Sequence, residues 1–256
     1  MQILVCVKQV PDSESVIEIA ASGEWIAEEG LVFRMNRFDE YAVEEALVIR
    51  DAFPGSTVTA LTVGPRRAES TARRAMEMGA DRGVRIPLET DGYASPMAVA
   101  SLIAAHARGE GYDLILCGAM AEDDMQAQVG PLLAEMLDIP SATSVIAAAV
   151  SGDAAIRVER EIEGGAREAM ELSLPALIAV QPGINRPRYP SLSNVLRAKS
   201  QAIPEESRTP GADGISFESL GRLRLPERSS TCELITGSAA EKAEKLLAIL
   251  ASRSLL

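Results

Sequence analysis

Residues 118–130 read Gly-Ala-Met-Ala-Glu-Asp-Asp-Met-Gln-Ala-Gln-Val-Gly, and this stretch decides the fold class of the chain. The four residues before it, Leu-Ile-Leu-Cys at 114–117, form an apolar run that is typical of a buried strand. Apolar residues then recur at the spacing of one helix face, namely Val129, Leu132, Leu133 and Met136. The stretch is therefore predicted to be a strand-to-helix turn of an α/β unit, the place where open parallel sheets bind ligands.

This turn has two interpretations on sequence grounds. The backbone N–H groups of residues 126–130 and the start of the following helix can bind an anion, for which a nucleotide phosphate is the first hypothesis. Alternatively, the acidic side chains of Glu122, Asp123 and Asp124 simply cap the helix and complement its dipole. The stretch matches neither a Walker motif nor GxGxxG, so its spacing alone does not decide between the two.

Composition narrows the class of protein. The chain has 256 residues, of which 47% are hydrophobic and only 4% are aromatic, so small aliphatic side chains must build the core, as in tightly packed α/β layers. The net charge of −12 argues against a surface that binds nucleic acid or an anionic membrane. No apolar run approaches membrane-spanning length and no secretory signal is recognised, so we expect a cytoplasmic protein without membrane insertion.

Neither cysteine nor histidine indicates a catalytic or metal site. Cys6, Cys117 and Cys232 form no CxxC pair, and the first two end predicted strands, where a buried cysteine acts as a small apolar residue. His106 is the only histidine and falls on the apolar stripe of a predicted helix, so a structural role is the favoured interpretation. We therefore predict no catalytic residue and no metal ligand.

The order of predicted elements favours a doubly wound, Rossmann-like α/β fold. Strands and helices alternate from the N-terminus to the helix after residue 128, apart from a short hairpin expected at 16–27, and this alternation predicts a mostly parallel sheet. Further strands follow the sheet, some of them joined by tight glycine turns. They are predicted at 145–150, 155–161, 168–172 and 176–180 and indicate an antiparallel extension.

The C-terminal part of the chain differs from the rest in amino-acid composition. Residues 202–237 contain several Pro, Gly and Ser residues and predict an extended arm, which is followed by an amphipathic helix that needs a surface to pack on. We accordingly predict an adenine-nucleotide-binding α/β domain at 1–200 and, at 201–256, an arm and helix that either fold back on this domain or pack on a partner subunit.

Three predicted strand ends converge if the sheet is doubly wound. They lie at residues 6–8, at 63–65 and from 118 onward, and the glycines that follow the last two strands let a ligand approach the backbone. A helix opens nearby at 36–39, so an adenosine can lie across these ends with its phosphate on the 126–130 amides. The alternative is that each glycine only serves a turn.

Residues 185–199 form a locally basic segment in an acidic chain. They read Asn-Arg-Pro-Arg-Tyr-Pro-Ser-Leu-Ser-Asn-Val-Leu-Arg-Ala-Lys, in which prolines stiffen an exposed loop and a serine can cap a short helix. A rigid loop with the apolar tip Leu192 and cationic flanks suits docking to another protein. A solvated surface helix is an equally open interpretation.

Several separated motifs, in order along nearly the whole chain, carry a family resemblance. Besides the two stretches at 118–130 and 185–199, they are Val-Cys-Val-Lys-Gln-Val-Pro-Asp at 5–12, Asn-Arg-Phe-Asp-Glu at 36–40, Ala-Val-Glu-Glu-Ala-Leu at 42–47, Ala-Met-Glu-Met-Gly-Ala-Asp at 75–81 and Val-Glu-Arg-Glu at 158–161. With these motifs the chain resembles the β subunit of an electron transfer flavoprotein.

The resemblance implies a heterodimer in which an α subunit holds most of a redox FAD, while the β subunit covers one side of that flavin and buries AMP. It implies acyl-CoA or other flavin dehydrogenases as donors and a membrane quinone oxidoreductase as acceptor. Carried over motif by motif, it predicts a nucleotide site at Cys6, Asn36, Arg37, Phe38, Asp39, Val63, Gly118, Ala119, Met120, Ala121, Glu122, Asp123, Asp124, Met125, Gln126, Ala127, Gln128 and Val129. It also predicts Glu161 near the flavin and a set of partner-docking residues, Arg188, Tyr189, Leu192, Arg197 and Lys199.

The chain departs from the family pattern at its phosphate loop. Simple carriers usually read Asn-Gln-Thr-Gly there, whereas residues 127–131 read Ala-Gln-Val-Gly-Pro, which resembles the electron-bifurcating branch. In that branch the β subunit holds a second FAD in place of AMP, and NADH is the donor. Residues 38–40, Phe-Asp-Glu, instead resemble the simple carriers, so the subclass stays open.

Two hypotheses from other classes complete the comparison. A stand-alone sensor of adenine nucleotides explains the glycines at the strand ends, but it explains neither the basic segment nor the long arm. An ATP-pyrophosphatase-type enzyme is disfavoured, since residues 7–10 after the first strand read Val-Lys-Gln-Val and contain no Ser-Gly-Gly phosphate loop.

Overall fold

The computed structural model describes residues 1–88, 93–152, 154–209, 221–226, 232 and 234–256. Strands and helices alternate along most of this length. The strands are β1 (Gln2–Cys6), β2 (Gln9–Pro11), β3 (Phe33–Met35), β4 (Thr57–Gly64), β5 (Arg82–Pro87), β6 (Leu114–Gly118), β7 (Ser141–Ser151), β8 (Ala155–Glu161), β9 (Arg167–Ser173) and β10 (Ala176–Val180). The α-helices are α1 (Arg37–Ala52), α2 (Glu69–Met78), α3 (Pro96–Ala107), α4 (Val129–Leu137), α5 (Leu192–Ser200) and α6 (Ala239–Ser252).

One large sheet organises the fold, with its strands in the order β5-β4-β1-β6-β10-β7-β8-β9. The strands from β5 to β7 are parallel, and Val5 of β1 pairs with Ala60 of β4 on one side and with Leu116 of β6 on the other. The chain builds outward from β1 to β4 and β5, and then returns to the opposite side of β1 to form β6. This reversal confirms the predicted doubly wound, mostly parallel α/β fold, and it opens a crevice at the carboxyl ends of β1 and β6.

The position of β10 corrects one sequence-based expectation. We predicted this strand as part of the antiparallel extension, but it is parallel to both of its neighbours, β6 and β7. The extension therefore consists of β7, β8 and β9, with antiparallel pairs such as Val158 and Met170. All of β10 is buried, as is typical of a parallel strand covered on both faces, whereas buried and exposed residues alternate along much of β8.

Helices cover both faces of the parallel part of the sheet. On one face α1 and α2 pack against the strands and bury Leu47 and Met78. On the other face α3 and α4 do the same with Leu102 and Leu133. This two-sided cover explains why the central strands read as apolar runs in the sequence.

Residues between β2 and β3 form an irregular connection beside the crevice. The hairpin predicted at 16–27 is reduced to a single antiparallel bridge between Ile19 and Ile26. The two short strands at its ends, β2 and β3, pair with each other in a separate small sheet.

His106 has the structural role that its position on an apolar stripe predicts. It is buried in α3, its Nδ1 lies 3.0 Å from Glu206 Oε2, and its Nε2 lies 3.1 Å from Tyr112 Oη. Both ring nitrogens are therefore occupied by protein partners.

The chain divides into two compact units, Met1–Leu223 and Arg224–Leu256. In the second unit α6 confirms the expected closing helix, and Ser238 and Glu241 form a capping box at its start. The described side chains of α6 remain largely outside any core. The predicted division of the chain at residue 200 stays a prediction. Among the described residues no helix combines the length and the apolar character needed to cross a membrane.

Candidate functional site

A cavity of about 850 Å³ opens at the carboxyl ends of β1, β4 and β6, where the sheet order reverses. The strand-end residues of all three strands contribute to its wall, as the convergence argument predicted. All but three of the residues predicted for a nucleotide site line this cavity: Cys6, Asn36, Asp39, Val63, Gly118, Ala119, Met120, Ala121, Glu122, Asp123, Asp124, Gln126, Ala127, Gln128 and Val129.

The three remaining predicted residues lie just behind this wall or outside it. Arg37 uses its backbone N–H to donate to Glu122 Oε2 at 3.3 Å. Phe38 packs its Cβ against Gly118. Met125 is largely exposed at the tip of the loop. The structure therefore brings most of the predicted nucleotide-site residues together around one cavity, but these three do not line it.

Asp39 ties the ends of two neighbouring strands together. Its Oδ2 accepts the backbone N–H of Lys8 at 2.7 Å, and its Oδ1 accepts the backbone N–H of Gly118 at 2.9 Å. Burial raises the pKa of the Asp39 carboxyl to about 7, although these hydrogen bonds oppose the rise. A Cβ at Gly118 would lie 2.5 Å from Phe38 Cβ and 2.6 Å from Asp39 Oδ1, so only glycine fits this contact.

Asn36 fixes the first part of the loop that follows β6. Its Nδ2 donates to the Met120 carbonyl at 2.9 Å, while its Oδ1 accepts the backbone N–H of Glu122 at 3.1 Å. Because Asn36 is buried and uses both ends of its amide, the loop is held at two points on the cavity wall.

Lys8 fixes the middle of the same loop. Its Nζ donates to Asp123 Oδ1 at 2.7 Å and to Asp124 Oδ2 at 2.8 Å. Burial alone lowers the pKa of the Lys8 ammonium, but the two carboxylates outweigh it and the net pKa is raised. These acids pair with Lys8 and do not cap α4, which begins at Val129 without a side-chain cap. The capping interpretation of the acidic loop is therefore wrong.

Four backbone N–H groups at the start of α4 point to an anion site. The N–H groups of Ala127, Gln128, Val129 and Gly130 find no protein acceptor among the described residues, and we call them the amide row. The preceding N–H, that of Gln126, is already taken by Asp124 Oδ1 at 3.1 Å. The first turn of α4 also contains no acidic side chain. A helix start left in this condition attracts negative charge.

The backbone before α4 has the alternating geometry of an anion-binding nest. Two non-glycine residues, Met125 and Ala127, have positive φ angles of 53° and 54°. Gln128 returns to a negative φ of −100°. Such sign alternation turns successive N–H groups toward one side. Left-handed alanine is disfavoured and tends to occur where function requires it.

An aromatic pair in the cavity wall escaped the sequence analysis. The rings of Trp25 and Tyr93 lie 6.2 Å apart, and Gln126 Nε2 donates to Tyr93 Oη at 2.9 Å. This contact places the pair next to the amide row. In a chain with 4% aromatic residues, three aromatics at one cavity, Phe33 included, form a signal, but their sequence separation hid it.

The two thiols in the cavity wall are neutral. Burial raises the pKa of Cys6 well above its ordinary value, and it raises the pKa of Cys117 to about 12, with a smaller contribution from Asp39. Neither sulfur is a thiolate at physiological pH, so neither side chain can act as a nucleophile. What the site can do chemically is bind and orient a ligand.

Glu161 and the basic segment lie away from this cavity. Glu161 ends β8 opposite Arg167 of β9 and is exposed. Of the predicted docking residues, Tyr189 and Leu192 are 95% and 76% exposed. Sequence reasoning missed Leu196, which is 59% exposed one helical turn beyond Leu192.

Some cationic side chains of the basic segment turn toward the body of the protein, and others are exposed. Arg188 turns inward to Glu44, and Arg197 donates to the carbonyl oxygens of Met76 and Ala80 at 3.2 and 3.0 Å. Lys199 stays exposed. The segment therefore presents apolar side chains and two cations, Arg186 and Lys199, outward, while Arg188 and Arg197 hold it on the body.

Comparison with known proteins gives a consistent result. A family model described as "Electron transfer flavoprotein domain" matches residues 24–210. The chain is 34% identical to the electron transfer flavoprotein subunit beta of Bacillus subtilis over 260 aligned residues, which cover 99% of each protein. It is 34% identical to the human subunit beta over 251 residues, covering 97% of this chain and 96% of the human one. With the mitochondrial subunit beta of Oryza sativa subsp. japonica it shares 38% identity over 205 residues, or 79% of this chain and 80% of the other.

Proposed function

The chain belongs to the electron transfer flavoprotein β-subunit family, and from this premise we propose that it forms a heterodimer with an α subunit that carries electrons between proteins. The heterodimer accepts electrons from acyl-CoA or other flavin dehydrogenases through an FAD shared with the α subunit. It passes them to a downstream acceptor such as a membrane quinone oxidoreductase. When bound, the FAD supplies the redox chemistry, and this chain supplies binding and orientation.

The amide row carries the nucleotide part of this proposal. It binds the phosphate of an adenine nucleotide, AMP in the simple carrier, through backbone N–H groups and the dipole of α4. Because the backbone supplies the donors, this chain can bind phosphate although Ala127 and Val129 replace the usual polar side chains of the loop.

The surrounding side chains order the site before the nucleotide arrives. Asp39 fixes Gly118, Asn36 fixes the loop at Met120, and Lys8 fixes the two aspartates that precede the amide row. A loop that is already held in its bound conformation loses less entropy on binding, which favours affinity.

A second surface is proposed to meet the electron donor. We call Tyr189, Leu192, Leu196 and Lys199 the docking face, since these side chains of the basic segment are exposed. The partner that fits is a flavin dehydrogenase with an apolar pocket and an acidic rim, because apolar anchors give affinity and complementary charge guides the encounter.

Co-expression with the α subunit tests the proposal directly. The purified heterodimer is denatured, and the released small molecules are quantified by mass spectrometry against protein concentration. One FAD and one AMP per heterodimer is the expected result. A protein that forms no complex with the α subunit and releases no flavin overturns the proposal.

Electron bifurcation is the second candidate, favoured by the size of the cavity. At about 850 Å³ the cavity lies near the upper end of the roughly 300–1,000 Å³ range of small-molecule sites, which leaves room for more than a mononucleotide. Two FAD molecules per heterodimer, together with NADH oxidation, would support this alternative. A stable monomer that binds AMP or ATP reversibly would instead favour the stand-alone nucleotide sensor.

A further inference from the structure

Two neighbouring carboxyl groups of α1 accept hydrogen bonds from the basic segment. Glu44 and Glu45 are both buried, which is unusual for acidic side chains. Glu44 accepts from Arg188 Nε at 2.9 Å and from Arg188 Nη2 at 3.0 Å, and it also accepts the Arg188 backbone N–H at 2.9 Å. A pair of this kind fixes the orientation of the arginine as well as its distance.

Glu45 holds the same segment through Asn185. The Nδ2 of Asn185 donates to the Tyr41 carbonyl at 3.1 Å and to Glu45 Oε2 at 2.9 Å, which settles the orientation of the amide. The Oδ1 of Asn185 is buried and accepts no hydrogen bond from any described group. A protonated Glu45 beside this amide carries an O–H, the kind of donor that Oδ1 lacks.

We propose that Glu44 and Glu45 are positioning residues that fix the pose in which the docking face meets its partner protein. The inference rests on the proposed docking function, but it concerns side chains that do not touch the partner. Asn185 and Arg188 lie on either side of Pro187, whose ring limits backbone rotation between the two anchor points. Tyr189 and Leu192 therefore extend from a base that is held at both ends.

Burial and a neighbouring carboxylate raise the pKa of Glu45. Burial raises the pKa of the Glu45 carboxyl, the hydrogen bond from Asn185 lowers it, and the neighbouring Glu44 raises it, with a net rise. The cation of this cluster, Arg188, is engaged by Glu44 and by Asp51 at 3.1 Å. Since the folded protein holds the Glu45 proton more tightly than the unfolded chain does, this anchor weakens as the pH rises through the raised pKa.

Hydrogen exchange on the whole heterodimer tests the anchor. Glu44→Gln is expected to lower the protection factors of amides in 185–199 about tenfold, because the charge-assisted pair with Arg188 is lost. Glu45→Gln is expected to keep the protection, since a glutamine offers the same donor and acceptor as a protonated carboxyl. It should also remove the part of the pH dependence of protection that comes from ionisation of Glu45.

Steady-state electron transfer from a reduced acyl-CoA dehydrogenase provides the second readout. Glu44→Gln is expected to raise the KM for the dehydrogenase and to leave kcat nearly unchanged. Leu192→Ala should raise the same KM without changing the exchange of the segment, because it removes a contact and no anchor. Glu135→Gln, an exposed carboxylate on α4, is the control that changes neither measurement.

Each outcome separates the positioning role from the docking function. Wild-type protection in Glu44→Gln, or protection in Glu45→Gln below that of the wild type in mildly acidic solution where Glu45 keeps its proton, overturns the positioning role. An unchanged KM in Leu192→Ala overturns the docking function instead. If Glu44→Gln does not fold, the double variant Glu44→Gln/Arg188→Met removes both charges together and is expected to show the same loss of protection.

Discussion

Two strand-to-helix connections of the same sheet differ in how far the N–H groups at the helix start are satisfied. The connection from β6 to α4 leaves the amide row without protein acceptors. In the connection from β10 to α5, Ser191 Oγ accepts the Asn194 N–H at 3.2 Å, and Glu44 accepts the Arg188 N–H at 2.9 Å. Both connections follow buried parallel strands, so the difference comes from the local side chains and not from the fold.

The contrast indicates how one chain receives two kinds of partner. Unsatisfied N–H groups at a helix start require water or a ligand, so the start of α4 is suited to a small anion. At the start of α5 the cap from Ser191 and the bond from Val195 N–H to the Ser191 carbonyl leave only the N–H groups of Leu192 and Ser193 without a described protein acceptor, and the segment exposes Tyr189 and Leu192. The start of α4 therefore offers more unsatisfied backbone N–H groups than the start of α5 does.

The largest expected effect comes from breaking the rigid base of the α4 connection. Gly118→Ala puts a methyl group within 2.8 Å of the Phe38 carbonyl carbon, a backbone atom that cannot move aside. We expect a loss of about 3 kcal/mol in unfolding free energy, at the upper end of overpacking effects, measured by urea denaturation. At Gly221 an added methyl group meets no atom of the described residues within 4 Å, so Gly221→Ala should stay within about 0.5 kcal/mol of wild type. Equal losses in both variants would contradict the close contact at Gly118.

Asp39→Asn tests the tie between the two strand ends. The asparagine has one oxygen for two backbone donors, and its NH2 group faces the second N–H. We expect a loss of about 2 kcal/mol, the cost of leaving a buried donor unpaired. Asp138→Asn is the matched control, because Asp138 is exposed and has a φ of 55° that asparagine tolerates.

Asp39 also makes stability depend on pH in the nucleotide-free protein. Its carboxyl keeps its proton up to about pH 7 in the folded state, whereas it ionises near pH 4, roughly, in the unfolded chain. The folded state binds more protons between these values, so the unfolding free energy should fall as pH rises through this window. Denaturation of Asp39→Asn at several pH values should lack this component of the slope.

A carboxylate at the start of α4 should bind the N–H groups of the amide row and so remove the difference between the two helix starts. Gln128→Asp places a carboxylate at the N-cap position of α4, which we expect to stabilise the nucleotide-free protein by about 1 kcal/mol. The same charge repels a phosphate, so the Kd for AMP should rise about tenfold in calorimetric titrations of the nucleotide-depleted heterodimer. The uncharged cap in Gln128→Ser should weaken AMP less. Unchanged AMP affinity in Gln128→Asp would place the phosphate elsewhere.

The smallest effect is expected from removing the side-chain cap in the connection from β10 to α5. Ser191→Ala removes the cap of α5 and should lower the unfolding free energy by about 0.5–1 kcal/mol. AMP affinity should not change, because α5 lies outside the cavity. A change in AMP affinity here would show that the two connections are not independent.

Local patterns predicted the α4 connection well and the placement of β10 poorly. The strand and helix on either side of residues 118–130 have clear periodicity, which depends only on neighbouring residues. The pairing of β10 with β6 depends on distant partners, although its fully apolar sequence was consistent with a central parallel strand.

The spacing of residues along the sequence could not predict the interactions that order the site. Asp39 contacts Gly118 across 79 positions, and Arg188 contacts Glu44 across 144 positions. Counting basic residues assigned Arg188 and Arg197 to a docking surface, because charge alone does not tell which way a side chain turns. Their inward direction follows from acceptors on α1 and at the end of α2, which only the folded chain brings near.

Trp25 is the only tryptophan of the chain, and it lies in the cavity wall beside Tyr93. Tryptophan emission from this chain therefore arises from a single place, in the wall of the proposed nucleotide pocket. Ligand binding in the pocket can therefore be followed in real time by the fluorescence of this tryptophan, without an added dye. Rates of ligand entry and release become accessible to rapid mixing on the unmodified protein.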